Sequence, residues 1–332
     1  MEMTANDRCW LYLLPALLLG CDAAEQPETL TVVASPQTEE ELLGACLLAD
    51  DDNACTGLDR LADAGATRRC GVERTPEQVA ATEREFADWL AAAPEQPSAL
   101  APQSVYVPVA IHVINKGPGV ANGDVTEAQI EDQMAVLNMS HWGQTGGPKT
   151  PFVFFVYSID RTTNPSWYTM SIGSSHETAA KTALHRGAEG MLNLYIVQPY
   201  NGIAGWSTMP SDYFYAPLMD GVVIDNRTLP GGGSVAYGLG DNAVHEIGHW
   251  LGLFHTFEGG CGKNDVYSGD KVADTPAEKS PAYGCPKSRD SCNSEGKDPV
   301  NNFMDYTDDS CMNAFTPGQI MRMEHYWTVY RD

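Results

Sequence analysis

The C-terminal two thirds of this sequence predict an α/β (α+β) domain, in which a twisted mixed sheet packs against helices. Residues 105–114 are apolar on both faces, as in a buried strand. A helix follows, opened by a capping box of Thr126 and Gln129 and striped by apolar residues. Further apolar runs of strand length come before a second helix, which is the order of an α/β or α+β sandwich. Strands are expected at 105–114, 152–159, 192–197, 203–208 and 222–225, and helices at 126–138 and 242–251.

Length and composition fit one large domain with a smaller segment ahead of it. The chain has 332 residues, of which 43% are hydrophobic and 19% charged, so a sizeable core can be buried. Its 44 acidic residues against 20 basic ones give a formal charge of -24, which would repel a phosphate backbone. No basic patch with interleaved aromatic residues is present in the sequence. We therefore expect no nucleic-acid partner.

The segment ahead of the sheet is expected to be small and helical. Its best helix begins at Thr75, with Pro76 in the first turn and Gln78 completing a capping box. Val79, Phe86 and Leu90 then share one face, which must pack on another part of the protein. A proline-containing stretch at 93–98 reads as a linker, so the large domain is placed at 104–332.

The first residues predict export. Residues 10–19 form an apolar run of the length of a signal peptide core, too short to span a membrane as a helix, so residues 1–20 are assigned to a signal peptide. The run ends in Leu18-Leu19-Gly20-Cys21, which resembles a bacterial lipobox and predicts lipidation of Cys21. The alternative is a cleaved secretory signal with an incidental cysteine. Residues 21–103 would then be a lipid-anchored segment, with the enzyme in the cell envelope or secreted once that segment is removed.

The most specific pattern is His245-Glu246-x-x-His249-x-x-Gly252-x-x-His255. Residues four apart on a helix lie on one face, so the first two histidines can bind one metal ion. Gly252 allows the chain to leave the helix and turn back, bringing His255 as a third ligand. Three neutral imidazoles leave the fourth position of Zn²⁺ open, as in a catalytic site, and Glu246 is placed to activate a zinc-bound water for hydrolysis. These residues predict a zinc-dependent hydrolase.

The histidine motif resembles the metzincin metallopeptidases, and within them the pappalysin family with its ulilysin-like members. The likeness is most specific at 245–261, 269–276, 284–292 and 301–322. It implies a metzincin-type catalytic domain with an active-site helix and an irregular, disulfide-bonded C-terminal subdomain. It also implies Met304 as the Met-turn residue and Tyr306 as the stabiliser of the oxyanion. A phenol is suited to that hydrogen bond.

The same resemblance implies two disulfides, Cys261 with Cys292 and Cys285 with Cys311. Spacing alone leaves all three pairings of four cysteines open. It further implies calcium in the loop after the third histidine, where Asp265, Asp270, Asp274 and Thr275 supply oxygen ligands. No EF-hand spacing is present in this loop, and the alternative is a solvated acidic loop.

Arg69-Cys70-Gly71-Val72 resembles the cysteine switch of metzincin zymogens. A thiolate is a good zinc ligand, so Cys70 is predicted to occupy the open position and hold the enzyme latent, with the propeptide as its own inhibitor. A cut between about residues 71 and 105 would then activate the enzyme and release it from the anchor. The alternative is a disulfide of Cys70 with Cys46 or Cys55.

The predicted function is thus a secreted or lipid-anchored zinc metalloendopeptidase (EC 3.4.24), made as a zymogen, acting on protein or peptide substrates. Because the chain after the Met-turn walls the primed-side pocket in metzincins, Asp308 and Asp309 are expected to favour Arg or Lys after the scissile bond. Alternatively, both carboxylates face solvent. The rival function is an inactive zinc-binding surface lipoprotein that acts as a binding module. Glu246 argues against it, because a purely structural zinc site needs no general base.

Overall fold

A computed structural model describes residues 69–92, 104–262 and 269–332. The predicted signal peptide, Cys21, the linker and Asp265 lie outside these residues. Within the described ranges, no helix has the length and apolar character needed to cross a membrane. The helices of the described residues are α1 (Pro76–Ala92), α2 (Glu127–His141), α3 (Pro165–Tyr168), α4 (Ser175–Leu184), α5 (Asp241–Trp250) and α6 (Pro317–Tyr330).

The predicted mixed sheet is present and has five strands. They are β1 (Val105–Asn115), β2 (Phe152–Thr163), β3 (Leu192–Val197), β4 (Gly205–Ser207) and β5 (Val222–Asp225). Their order is β2-β1-β3-β5-β4, and only the edge strand β4 runs antiparallel to its neighbour. All five predicted strands are confirmed, with β2 four residues longer and β4 shorter than expected. The edge position of β4 leaves one side of it open to a further chain.

Side chains alternate across β3 and define two apolar layers. Leu192, Leu194 and Ile196 pack in the larger core together with residues of α2 and α5. Tyr195 and Val197 point to the opposite layer, where Trp206 of β4 is also buried. Helix α5, which carries the first two histidines, is therefore packed directly on the sheet, and every one of its residues is buried.

The helices begin where their capping residues predict. The Thr126 side chain accepts a hydrogen bond from the Gln129 backbone, and the Gln129 side chain accepts one from the Thr126 backbone, as expected for α2. Helices α3, α4 and α6 were not expected. The last of these has its own capping box, formed by Thr316 and Gln319 on either side of Pro317, and this signal was available in the sequence.

The chain between α5 and α6 has little regular structure. Its described part contains one 3-10 turn, Asp309–Cys311, and an isolated bridge between Asn302 and Ala314. Two disulfides hold it, Cys261–Cys292 and Cys285–Cys311, with Cα atoms 5.4 and 5.7 Å apart. Both pairings are those that the family resemblance implied, and the irregular C-terminal subdomain is confirmed.

Candidate active site

Helix α5 presents His245 and His249 on one face, and a sharp turn brings His255 beside them. Gly252 makes this turn with a φ of 102°, in the left-handed region that favours glycine. A Cβ atom at this position would lie 2.5 Å from Cγ of Tyr326, so the close packing also requires glycine. The ring centroids of His249 and His255 are 4.4 Å apart. The turn predicted from the sequence is thus present.

The two helical histidines are oriented by backbone carbonyls. Nδ1 of His245 lies 2.6 Å from the Phe303 carbonyl, and Nδ1 of His249 lies 2.8 Å from the Leu253 carbonyl. With Nδ1 donating, Nε2 of each ring keeps its lone pair for a ligand. Burial lowers the pKa of His249 to about 4 and holds the pKa of His245 well below its usual range. Both rings are therefore neutral, as metal binding requires.

The side chains brought together fit a zinc ion. Ligand atoms of Cys70, His245, His249 and His255 all lie within 4.8 Å of one another, and all four residues are buried. Nε2 of His249 is only 3.0 Å from Nε2 of His255, so two nitrogen lone pairs converge on one point. Three imidazoles and a thiolate form a tetrahedral donor set typical of Zn²⁺. The donor chemistry thus agrees with the metal predicted from the sequence.

Glu246 is fully buried beside this cluster. The thiol of Cys70 donates a hydrogen bond to its Oε2 over 3.5 Å, while Oε1 has no hydrogen-bond partner among the described residues. Burial raises the pKa of Glu246 to about 8, and Cys70 and Arg69 oppose that rise. A carboxylate with such a raised pKa is suited to accept and return a proton near neutral pH.

Met304 packs below the histidine cluster, and Tyr306 lies beside it. A Cβ atom at Gly248 would lie 2.4 Å from Sδ of Met304, so the methionine packs directly under α5. The Tyr306 ring is 5.0 Å from His255 between centroids, and its hydroxyl donates to the Cys70 carbonyl over 3.4 Å. The tyrosine hydroxyl thus reaches the position taken by a peptide carbonyl next to the histidines.

Residues 69–72 lie along the open edge of the sheet. The Gly71 backbone donates to the Gly205 carbonyl over 2.8 Å, and Cys70 forms a parallel bridge with Gly205. Gly205 has no room for a side chain, since a Cβ atom there would lie 2.9 Å from Cγ of Glu246. The segment therefore occupies the cleft in the manner of an added β-strand, with its cysteine at the histidines.

Arg69 fills a buried pocket next to Cys70. Its NH1 donates to the Thr307 carbonyl over 2.7 Å and lies 3.2 Å from Oδ1 of Asp309. The guanidinium also lies 4.9 Å from the ring centroid of Tyr237. Asp309 is buried, whereas Asp308 is half-buried. Of the two carboxylates predicted for a substrate pocket, Asp309 is thus the one that contacts Arg69.

Arg69 and Tyr237 were missed as pocket residues in the sequence. The sequence did offer a signal for Arg69: it is a basic residue directly before the predicted switch cysteine, and an acidic pocket was predicted from Asp308 and Asp309. Oδ2 of Asp309 accepts hydrogen bonds from the backbones of Leu239 and Asp241. Burial raises the pKa of Asp309, while Arg69 and these backbone groups lower it.

The described residues among the predicted calcium ligands are hydrogen bonded to parts of the protein other than the histidine cluster. Asp274 accepts hydrogen bonds from Thr316 and Gly318 at the start of α6. Asp270 is buried, accepts from the Val272 backbone, and burial raises its pKa to about 7. Thr275 is buried and hydrogen bonded to Asp270. In the described residues these side chains thus have partners within the protein.

Comparisons with known proteins agree on one family. The family described as pregnancy-associated plasma protein-A, Peptidase_M43, matches residues 235–327. An extracellular metalloprotease of Colletotrichum graminicola is 41% identical over 232 residues, covering 69% of this chain and 78% of that protein. An extracellular metalloprotease of Verticillium alfalfae is 38% identical over 275 residues, covering 81% and 92%.

Two solved structures of one protease from Tannerella forsythia are also similar. A promirolysin mutant superposes with a TM-score of 0.64 at 26% identity, covering 80% of this chain and 95% of that one. Mature mirolysin in complex with a cleaved peptide gives a TM-score of 0.56 at 27% identity, covering 69% and 92%. The predicted catalytic fold is therefore confirmed.

Proposed function

Because this chain belongs to the pregnancy-associated plasma protein-A family, the pappalysins, we propose that it is an exported zinc endopeptidase synthesised as a latent zymogen. Three histidines, at 245, 249 and 255, hold the zinc, and Cys70 fills the remaining position until the propeptide is removed. The convergence of these four buried side chains is the observation that carries the proposal. The names of the fungal relatives support an extracellular location.

The extent of structural similarity supports a propeptide ahead of the catalytic domain. The pro-form of mirolysin covers 80% of this chain, whereas the mature form covers 69%. The additional coverage is consistent with a propeptide at 21–103 and a catalytic domain at 104–332. In the described part of the propeptide, residues 69–72 occupy the cleft.

The side chains define how a peptide bond would be hydrolysed. Zinc, when bound, supplies a Lewis acid that polarises the scissile carbonyl and lowers the pKa of water. Glu246 accepts the proton of the attacking water and passes it to the leaving amine. The Tyr306 hydroxyl donates to the oxygen that becomes negatively charged. In the latent form the Cys70 thiol contacts Glu246, and the Cys70 carbonyl accepts from Tyr306, so both groups are occupied.

Cys70→Ala in the uncut chain tests latency. Loss of one ligand contact worth about 1.4 kcal/mol would raise the active fraction about tenfold, so casein hydrolysis should rise by at least that factor over the uncut wild type. A chelator should abolish the gain. The double variant Cys70→Ala, Glu246→Ala should stay inactive and thereby rules out a contaminating protease. An uncut Cys70→Ala chain as latent as the wild type would overturn the switch.

The Arg69 pocket supports a preference for a basic residue after the scissile bond. Arg69 reaches Asp309 and the Thr307 carbonyl without exposure to solvent, as a substrate side chain would. Asp309→Asn keeps an oxygen acceptor for the neighbouring backbone groups and removes the charge. Loss of one partner of a buried charge pair costs about 2 kcal/mol or more, so kcat/KM for peptides with Arg in this position should fall by about 30-fold or more.

Peptides with a neutral residue in that position should keep their kcat/KM in Asp309→Asn. Asp308→Asn is the matched control, because Asp308 is half-buried and the hydrogen bonds of the Arg69 guanidinium go to Asp309 and the Thr307 carbonyl instead. An equal effect of both substitutions, or a wild-type cleavage profile without preference for Arg or Lys, would contradict this specificity.

Three finer predictions rest on the sequence. Calcium binding at 265–275 would have to compete with the hydrogen bonds that Asp274 accepts from Thr316 and Gly318 at the start of α6. Lipidation of Cys21 would place the zymogen in a bacterial cell envelope, whereas the relatives are named as extracellular enzymes. The binding-module alternative is disfavoured by Glu246, since a buried carboxylate without a second partner has a cost that a structural zinc site does not require.

A further inference from the structure

Helix α1 of the propeptide packs on a part of the catalytic domain that is separate from the zinc ligands. Val79 is buried in a cluster with Met209 and Phe254. One turn of helix after Glu83, Phe86 stacks on Tyr326 with ring centroids 4.4 Å apart. Most of the stability of a helix in a protein comes from packing of its apolar face, so these contacts stabilise α1. Val79 and Phe86 of the face predicted from the sequence thus have packing partners, whereas the side chain of Leu90 lies outside the described part of the structure.

A charged group lies at the centre of this contact. Glu83 forms a two-point ion pair with Arg322, with N to O distances of 3.2 and 2.5 Å, and accepts a hydrogen bond from the Tyr326 hydroxyl over 2.9 Å. Side-chain exposure is only 13% for Glu83 and 6% for Arg322. A paired guanidinium and carboxylate shielded from water contribute more to specific binding than an exposed pair.

The catalytic domain holds Arg322 ready for a carboxylate. Its Nε donates to the Gly252 carbonyl over 2.7 Å, and its guanidinium lies 4.9 Å from the Phe254 ring and 4.5 Å from the Tyr326 ring. We call Phe254, Arg322 and Tyr326 the helix-docking surface. It consists of an oriented cation between two aromatic rings, and it fits a helix with an acidic residue between two apolar ones.

We propose that the helix-docking surface is a second, zinc-independent binding site for the propeptide, and that it retains residues 69–92 as a noncovalent inhibitor after the chain is cut between 93 and 103. This proposal rests on the proposed latency through Cys70. Five residues, 71–75, connect the cysteine to α1, so a docked helix keeps the thiol at a high effective concentration next to the histidines. Binding of the thiol at the histidines and binding of α1 to the helix-docking surface thus strengthen each other.

The position of the cut therefore decides its effect. A cut after Ala92 breaks the covalent connection but leaves both binding points on one fragment. A cut within 71–75 separates the cysteine from the docked helix, so the switch can leave while α1 remains. Activation through the linker alone is thus incomplete, and full activity requires dilution of the fragment or a second cut on the N-terminal side of α1.

The experiment uses the full chain with a recognition sequence for a site-specific protease placed within 93–103. After complete cutting, size-exclusion chromatography reports whether the N-terminal fragment co-elutes with the catalytic domain, and peptide hydrolysis reports latency. We expect the wild-type fragment to co-elute and activity to stay near the uncut level, then to rise on dilution. Separate elution with immediate full activity would overturn the proposal.

Variants in α1 identify the surface while leaving the catalytic domain unchanged. Glu83→Gln and Phe86→Ala should each weaken retention by about tenfold or more, because each removes a buried contact worth at least about 1.4 kcal/mol. Asp88→Asn removes one charge at an exposed position and should retain the fragment like the wild type. Equal retention by Glu83→Gln, Phe86→Ala and Asp88→Asn would overturn the role of the surface.

The two readouts separate this inference from the proposed function. An uncut chain that is already active, with a fragment that co-elutes after cutting, would remove the Cys70 switch and support the docking site. Latency of the uncut chain with separate elution after cutting would support the switch and overturn the docking site.

Discussion

The sheet with helix α5 and the irregular chain after it both supply residues to one site, but they are stabilised by different means. Strands β1, β3 and β5 are aligned by backbone hydrogen bonds, and α5 is buried along its whole length. The later chain is held by side chains instead. Asp305 accepts hydrogen bonds from the backbones of Ala282 and Tyr306. Arg289 forms ion pairs with Glu278 and Asp298.

The difference implies that buried carboxylates have different roles in the two regions. In the first region, Oε1 of Glu246 has no hydrogen-bond partner among the described residues, which leaves it available for the proposed proton transfer. In the second, Glu278 bonds Thr256 as well as Arg289 and fixes the path of the chain. The same substitution, glutamate to glutamine, should therefore remove activity in one region and stability in the other.

Glu246→Gln should have the largest effect, and on activity alone. Loss of a general base lowers kcat by about 10² to 10⁴-fold. Stability should be unchanged or higher, because the amide replaces a carboxylate whose burial is unfavourable. The checks are kcat for the cut enzyme, zinc content by atomic absorption and the free energy of unfolding in urea. A large loss of stability would break the comparison.

The stability of the contact between the two regions should depend on pH through His141. Its ring packs against Phe154 of β2 and Phe315 of the later chain, with centroids 4.8 and 5.4 Å apart. Burial lowers its pKa to about 4 from the usual 6.5, so protons favour the unfolded state below pH 6.5. Stability present above pH 6.5 should fall by about 3 kcal/mol as the pH drops to 4.

His141→Phe keeps a ring at this position and removes the titrating group. The variant should therefore lose less stability between pH 6.5 and 4 than the wild type, as measured by urea unfolding at several pH values. Identical pH profiles for the two proteins would show that other groups cause the acid dependence.

Glu278→Gln should have the smallest effect of the three, with a loss of stability and little direct effect on the chemistry. Arg289 keeps Asp298 as a partner and is 22% exposed, so we expect a loss of about 2 kcal/mol rather than the full cost of breaking a buried pair. Urea unfolding measures the loss, and kcat at a temperature where both proteins are folded should change less than threefold. A fall in kcat as large as that of Glu246→Gln would contradict the different roles assigned to the buried carboxylates of the two regions.

Local signals made much of the fold predictable. The histidine spacing, Gly252 and the capping boxes act within a few residues, so the turn after α5 and the starts of α1 and α2 follow from them. Helix α6 was missed although its capping box is equally local. Asp274, predicted as a calcium ligand, bonds the first turn of α6, so missing the helix also hid this contact.

Contacts between distant residues could not be found from the sequence. Arg69 and Asp309 are 240 positions apart, and Glu83 and Arg322 are 239 apart. Each pair depends on how residues 69–92 lie on residues 104–332. No periodicity or spacing encodes that placement, since either carboxylate would be equally acceptable in solvent.

The parallel bridge between Cys70 and Gly205 has a consequence for how the proposed propeptide would escape cleavage in the cleft. A substrate with its residue after the scissile bond on Asp309 would run from the histidines towards Asp309. The chain from Arg69 to Cys70 runs from Asp309 towards the histidines, so its amide groups have the opposite polarity. Under the proposed latency, the cleft would thus hold a peptide in the reverse direction, which fills the pockets without placing a peptide bond in the orientation needed for attack.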